Sequence, residues 1–232
     1  MSKPPFLQAC GRWVRRAILK NKTLYFLLSS PKPLSDWYGF DRGTPLDRFY
    51  IESFLEKHQA HIQGICLELQ DDTYTKRFGQ ARATKSDVLD INKNNKKATI
   101  IADLRNMTKT PPDSYDCIIL TQVLQFIDLP SKALGECWRI LKPGGVLLTT
   151  LPSISRIDCQ SGIEEDYWRF TKAGAKVIFS TQDWKQLQIE SHGNCRSGLY
   201  FLAGVSKEEA SSYSLNSHDE NFPLIISVFA QK

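Results

Sequence analysis

Between residues 64 and 151 short apolar runs alternate with stretches of helical spacing, an order that few folds accept. Ile65 to Leu69, Thr99 to Ala102 and Tyr115 to Thr121 read as strands, with a less apolar one near Ala83 to Val88. Strands without a polar alternation are buried on both faces, as in a parallel sheet covered by helices on each side. From Ser131 to Leu141, the residues Ala133/Leu134, Cys137/Trp138 and Leu141 recur at helical spacing. This helix is expected to stop at Lys142-Pro143-Gly144-Gly145, ahead of a strand from Val146 to Leu151. A helix near Ala173 to Ser180 and strands near Leu187 to Ser191 and Leu224 to Ala230 follow. The pattern predicts an α/β chain with a mostly parallel, doubly wound sheet.

With 232 residues, 41% of them apolar, the chain has material for one sizeable core. Ser29-Ser30-Pro31-Lys32-Pro33 breaks a first helix and marks a boundary near residue 30. The net charge of +5 is unevenly placed: Lys3, Arg12, Arg15, Arg16, Lys20, Lys22 and Lys32 fall in a stretch without an acid. Residues 1–30 therefore read as a basic amphipathic helical extension, suited to an anionic membrane or a protein partner, or else docked on the domain with a solvated cationic face. No apolar run approaches the length of a membrane span, and no signal-peptide pattern follows Met1, so a cytoplasmic protein, peripheral to a membrane at most, is expected. The six cysteines and four histidines make no metal-ligand spacing; Cys66 and Cys117 lie in apolar runs as small hydrophobes. Residues 206–221 are polar and read as loop or frayed helix.

In an open parallel sheet, ligands bind beyond the carboxyl ends of the strands where strand order reverses, so acids at strand ends are the candidates. Glu68 lies near the end of the first strand and is followed by the acidic loop Gln70-Asp71-Asp72-Thr73-Tyr74-Thr75. Asp87 stands near the spacing at which a carboxylate reaches ribose hydroxyls, with Asp90 as its competitor. Asp103 closes the third strand candidate.

The ordered series Ile65 to Leu69 with Glu68, Ala102-Asp103-Leu104, Tyr115-Asp116-Cys117-Ile118-Ile119 and Arg139-Ile140-Leu141-Lys142-Pro143-Gly144-Gly145-Val146-Leu147-Leu148 resembles the class I S-adenosylmethionine-dependent methyltransferases. The resemblance covers roughly residues 64 to 151 and implies a Rossmann-like sheet of seven strands with one antiparallel strand near the C-terminus, where residues 224–232 fit. It implies a domain over 31–232, with a lid at 36–61, a core at 64–151, an acceptor-side insertion at 152–172 and C-terminal strands at 185–232. The implied cofactor is S-adenosylmethionine. Glu68 with Gln70, Asp72 and Thr73 would hold its methionine part, Asp87 or Asp90 its ribose, and Asp103 and Leu104 its adenine edge, with Thr121 and Gln122 lining the same cleft. The lid and the segment Tyr167-Trp168-Arg169-Phe170-Thr171 resemble, more closely, methyltransferase-like proteins linked to polysaccharide and glycosyl-transfer pathways.

The chain departs from that family in its first loop: Gln70, Asp72 and Tyr74 stand where alternating glycines are usual, and glycine there tolerates positive φ and lets backbone approach the ligand. Two readings follow. In one, the loop is rebuilt around the cofactor and the protein methylates a hydroxyl of a glycan or related small molecule; in the other, it is a non-catalytic binding module in a glycan-assembly or membrane-associated complex. For the first, Arg42 or Arg48 is expected to fork onto a carboxylate, and Tyr167, Trp168 and Arg169 to face the acceptor. Asp166, Glu165 and His192 are the candidate bases. A nucleic-acid acceptor is not expected, because positive charge is confined to the extension and Thr121-Gln122-Val123-Leu124 stands where DNA-modifying relatives carry an Asn/Asp-Pro-Pro-aromatic motif.

Overall fold

The computed structural model describes residues 31–158 and 163–232; the basic extension 1–30 and Cys159 lie outside them. Among the described residues the helices are α1 (Leu46–Lys57), α2 (Pro130–Ile140), α3 (Lys172–Phe179), α4 (Cys195–Ala203) and α5 (Ser212–Asn216). The strands are β1 (Gly64–Leu69), β2 (Ala83–Asp90), β3 (Ile100–Ile101), β4 (Tyr115–Thr121), β5 (Leu141–Pro152), β6 (Gln186–His192) and β7 (Ile225–Gln231). They form one sheet in the order β3-β2-β1-β4-β5-β7-β6. All neighbours are parallel except β7, which runs antiparallel to both β5 and β6.

The two-faced burial expected of apolar strands is visible residue by residue. On β4, Ile118 and Leu120 pack into a core beneath α2 and α3, while Cys117 and Ile119 pack into the opposite core with α1 and α4. Leu147 and Leu151 against Val146 and Leu148 repeat the division on β5. Each fully buried aliphatic side chain contributes about 1.5–3 kcal/mol, so the central strands anchor the sheet from both sides.

Three boundaries differ from the sequence expectation. β2 continues two residues beyond Val88, because Leu89 and Asp90 pair with Ile100 and Ile101. Lys142-Pro143-Gly144-Gly145 is not a loop after α2 but a bulged start of β5, where the partners of Tyr115 and Cys117 jump from Leu141 to Val146. α4 was unmarked by periodicity; a reciprocal cap, in which Asn194 accepts the Ser197 amide and Ser197 Oγ accepts the Asn194 amide, starts it.

The entry to β1 is tied to β4 by Asp116, whose Oδ2 accepts the Ile65 amide at 2.8 Å and Lys142 Nζ at 2.7 Å. Gly64 makes this possible: it has φ +64°, and a Cβ there would lie 2.3 Å from that same oxygen. Gly64→Ala is expected to cost at least about 2 kcal/mol in urea unfolding, from left-handed strain plus a disturbed hydrogen bond. Combined with Asp116→Ala the two losses should not add, since the second substitution vacates the space the methyl needs.

Candidate functional site

The strand order reverses between β1 and β4, where one crossover leads to either face, and the sheet opens a crevice at their carboxyl ends. A cavity of about 620 Å³ occupies it, within the roughly 300–1,000 Å³ of small-molecule sites. Its walls come from the tips of four strands and from α1: Glu68 and Leu69 after β1, Leu89 and Asp90 from β2, Ala102 to Arg105 after β3, and Ile119, Thr121 and Gln122 from β4. Arg48 and Glu52 reach it from α1, and Phe40, Phe126, Ile127, Glu165 and Tyr167 close the far side.

The loop after β1 solves the missing-glycine problem in its own way. Gln70 takes the left-handed conformation at φ +67°, doing with a side chain what glycine does without strain. Gln122, in the matching place after β4, does the same at φ +55°. Two such residues on the walls of one cavity are backbone strain concentrated where a ligand would sit. The chain then winds into a π turn, Thr75–Gly79. Glu68, only 3% exposed, sits under this turn and accepts the amides of Tyr74 (3.1 Å) and Thr75 (2.7 Å). The other loop amides are also engaged: Gln70 to Leu89 O, Asp71 to Leu69 O, Thr73 to Asp71 Oδ1 and Lys76 to Asp72 O. Tyr74 does not fill the cavity; its ring is buried in the α1-side core and its hydroxyl takes a hydrogen bond from Arg48 at 2.5 Å.

Of the acids singled out, Asp90 ends β2 at the cavity wall, where it accepts the Asn92 amide and Asn95 Nδ2, which also bonds Gln70 O and so links two cavity loops. Asp87 does not reach the cavity. It lies one turn of the pleat inside the strand, accepting from Lys85, Thr99 and the Tyr115 hydroxyl, because β2 is longer than its apolar pattern suggested. Asp103 is on the wall, but both its oxygens are held by Arg105, which also pairs with Asp128. That pairing holds the Asp103 carboxyl below its ordinary value. Asp72 is off the wall and pairs with Lys76 at 2.9 Å.

Among the acceptor candidates, Arg48 and Tyr167 line the cavity and Arg42, Trp168 and Arg169 do not. Arg42 pairs with Glu209, Trp168 Nε1 donates to Ile127 O, and Arg169 is consumed by Asp166 and the carbonyls of residues 155 and 156. The same pairing holds Asp166 below its ordinary pKa and away from the role of base. His192 borders a separate cleft beside α1 and bonds Ser227 Oγ at 2.7 Å. Tyr167 is fixed by its amide, which donates to Gln125 O, so the insertion after β5 is laced to the β4 loop. Phe40 reaches the wall from within the expected lid, whereas no local pattern marks Phe126, Ile127 or Arg105, whose place there depends on which loops meet.

Residues 70–149 match the family model for a methyltransferase domain. The chain is similar to the ubiquinone/menaquinone biosynthesis C-methyltransferase UbiE of Marinomonas sp. (strain MWYL1), 34% identical over 82 residues. That match covers 35% of this chain and 33% of the relative, so the chain spans about a third of the curated relative it matches. Among solved structures, a SAM-dependent methyltransferase from Archaeoglobus fulgidus superposes with TM-score 0.56 at 15% identity, covering 80% of this chain and 94% of that one. The 4+2 cyclase SpnF superposes with TM-score 0.57 at 12% identity, covering 91% and 92%. The chain thus has the Rossmann-like methyltransferase fold, with a seven-stranded, mostly parallel sheet.

Burial raises the Glu68 carboxyl to about 7, against the pull of the Thr75 and Tyr74 donors. A raised folded-state value means that the stability contributed by the protonated form is complete below the unfolded value of 4.5 and lost as pH rises through about 7. Urea midpoints should therefore decline between about pH 5 and pH 8. In Glu68→Gln that slope should flatten while overall stability drops by about 1–3 kcal/mol, because one loop amide loses its acceptor.

Proposed function

We propose that the protein transfers a methyl group from S-adenosylmethionine to a ring-bearing small molecule. The observation that carries this reading is the cavity at the β1/β4 reversal with a carboxylate, Asp90, at the tip of β2 on its wall. The family match over residues 70–149 spans most of the strands that build it.

The residues present fit the cofactor. Asp90, with hydrogen-bonding capacity left on each oxygen, suits a ribose diol, and Leu89, Ala102 and Leu104 form an apolar slot for adenine beside it. Gln70, Thr73, Thr121 and Gln122 border the side toward the methionine part. When bound, S-adenosylmethionine supplies an electrophilic methyl group. The protein's task is then to align the acceptor and exclude water. Phe40, Phe126, Ile127 and Tyr167 supply apolar and aromatic walls for a ring, and Glu165 is the carboxylate on that side suited to take a proton. An aromatic ring fits these walls, consistent with the quinone-pathway name of the curated relative. A sugar ring stacked on Tyr167 is the second member of the same class. The non-catalytic reading draws on the departures in the first loop, where Gln70, Asp72 and Tyr74 stand in place of the usual glycines.

Thermal unfolding with S-adenosylhomocysteine tests the reading. Ligand at about 100 times its dissociation constant should stabilise by roughly 2.7 kcal/mol. Asp90→Ala should weaken binding about tenfold or more, since a hydrogen bond to a charged group is lost, whereas Asp87→Asn should leave affinity unchanged. An unshifted wild-type midpoint at millimolar ligand would reject methyl transfer in favour of a non-catalytic module.

A further inference from the structure

The charged groups on the cavity wall are spent within the chain, with one exception. Arg77 forks onto Glu52 at 2.7 and 3.1 Å, Arg105 is held between Asp103 and Asp128, and Asp71 meets Lys97 at 3.4 Å. Arg48 donates to Tyr74 while the charges of Asp47 and Glu52 act on it, and Glu68 takes two loop amides. Asp90 accepts from Asn92 and Asn95. Glu165 is the exception: it stands exposed on the acceptor side and makes neither a hydrogen bond nor an ion pair among the described residues.

Three aromatic rings, Phe40, Phe126 and Tyr167, border the cavity on that same side. Among the described residues no ring contact joins them, so their faces are not used up on one another; Phe40 packs instead on Trp37 at 5.3 Å. The chain's own cations over rings fall on Tyr38, Phe49, Tyr74, Phe78 and Trp138, and on none of these three. An aromatic face carries negative charge density and attracts a cation that has shed its water. A ligand laid over the rings also takes water from Glu165. A neutral ring would leave that carboxylate desolvated without a partner, and an anion would repel it, whereas an ammonium meets both the carboxylate and the faces.

Resting on the methyl-transfer reading, we infer that the acceptor is a cation: a ring-bearing amine whose ammonium is recognised by Glu165 and by the faces of Phe40, Phe126 and Tyr167. Glu165 and Tyr167 come from the insertion after β5, Phe126 from the loop after β4 and Phe40 from the segment ahead of α1, so recognition is assembled from three separate stretches of chain. The selection is by charge as much as by shape. The other wall carboxylates are already occupied, which leaves Glu165 as the group that discriminates.

Calorimetric titration of the protein saturated with S-adenosylhomocysteine tests this without turnover. The probes are tyramine, 4-ethylphenol and 4-hydroxyphenylacetate, which share a phenol ring and differ in carrying a positive, a neutral or a negative end. Wild type should bind tyramine about fivefold or more tightly than 4-ethylphenol, with 4-hydroxyphenylacetate weakest, and added salt should narrow the gap. Glu165→Gln should bring tyramine and 4-ethylphenol to within about twofold, and Tyr167→Leu should weaken tyramine more than 4-ethylphenol. Unchanged affinity for S-adenosylhomocysteine reports that each variant is folded. A wild type that binds the three probes alike, prefers the neutral or anionic one, or binds none at millimolar concentration overturns the amine assignment and leaves methyl transfer standing. A Glu165→Gln protein that keeps the tyramine preference overturns it too. Wild type that does not bind S-adenosylhomocysteine overturns the methyl-transfer reading, and the amine assignment with it.

Discussion

The buried carboxylate of Glu68 organises the end of β1 and the loop beyond it. Taking an isolated carboxylate out of water is costly, and backbone amides converging on both oxygens offset part of that cost. Tyr74 and Thr75 supply those amides, so the chain must bend back over the strand end within six residues. The π turn, the left-handed Gln70 and the inward Tyr74 ring are consequences of that closure. Two of the loop amides thus face an acid of the chain itself, and the others named above are met by backbone oxygens and Asp71.

The same logic of internal pairing runs along the other strand tips. Asp103 is clamped by Arg105, Asp90 is steadied by Asn95, and Asn95 in turn holds Gln70 O. The cavity wall is thereby pre-formed, with most of its charges compensated before anything binds, which lowers the ordering cost of binding. The differences between these acids lie in what capacity is left. Among the described residues Asp90 receives one donor per oxygen and can accept more, whereas the oxygens of Asp103 meet the Arg105 fork and amide. Arg48 donates to the Tyr74 phenol, and the charges of Asp47 and Glu52 act on it.

The fold was legible in the sequence to the extent that burial dictates pattern. Strands covered on both faces must be apolar throughout, so Ile65 to Leu69 and Tyr115 to Thr121 announced themselves, as did the helical spacing of Ala133, Leu134 and Cys137. β2 was shorter on paper than in space. Its last residues are fixed by pairing with the two-residue β3, an interaction between segments that no local pattern records. That is why Asp87 and Asp90 could not be separated by spacing: two more residues of ladder put one acid inside the sheet and the other on the cavity wall.

The sequence by itself determined the α/β class, the order of the strands with the helices α2 and α3 between them, and the strand ends where acids would gather, because apolar periodicity follows directly from which faces leave water. Only the tertiary structure decided which charged groups are spent on one another. Arg42, Arg169 and Asp166 read as site residues, but Arg42 pairs with Glu209, Arg169 with Asp166 and the carbonyls of residues 155 and 156, and Arg48 gained its place through Tyr74. Pairing of charges depends on distances of a few ångströms between segments far apart in the chain, and a one-dimensional pattern carries no such distances.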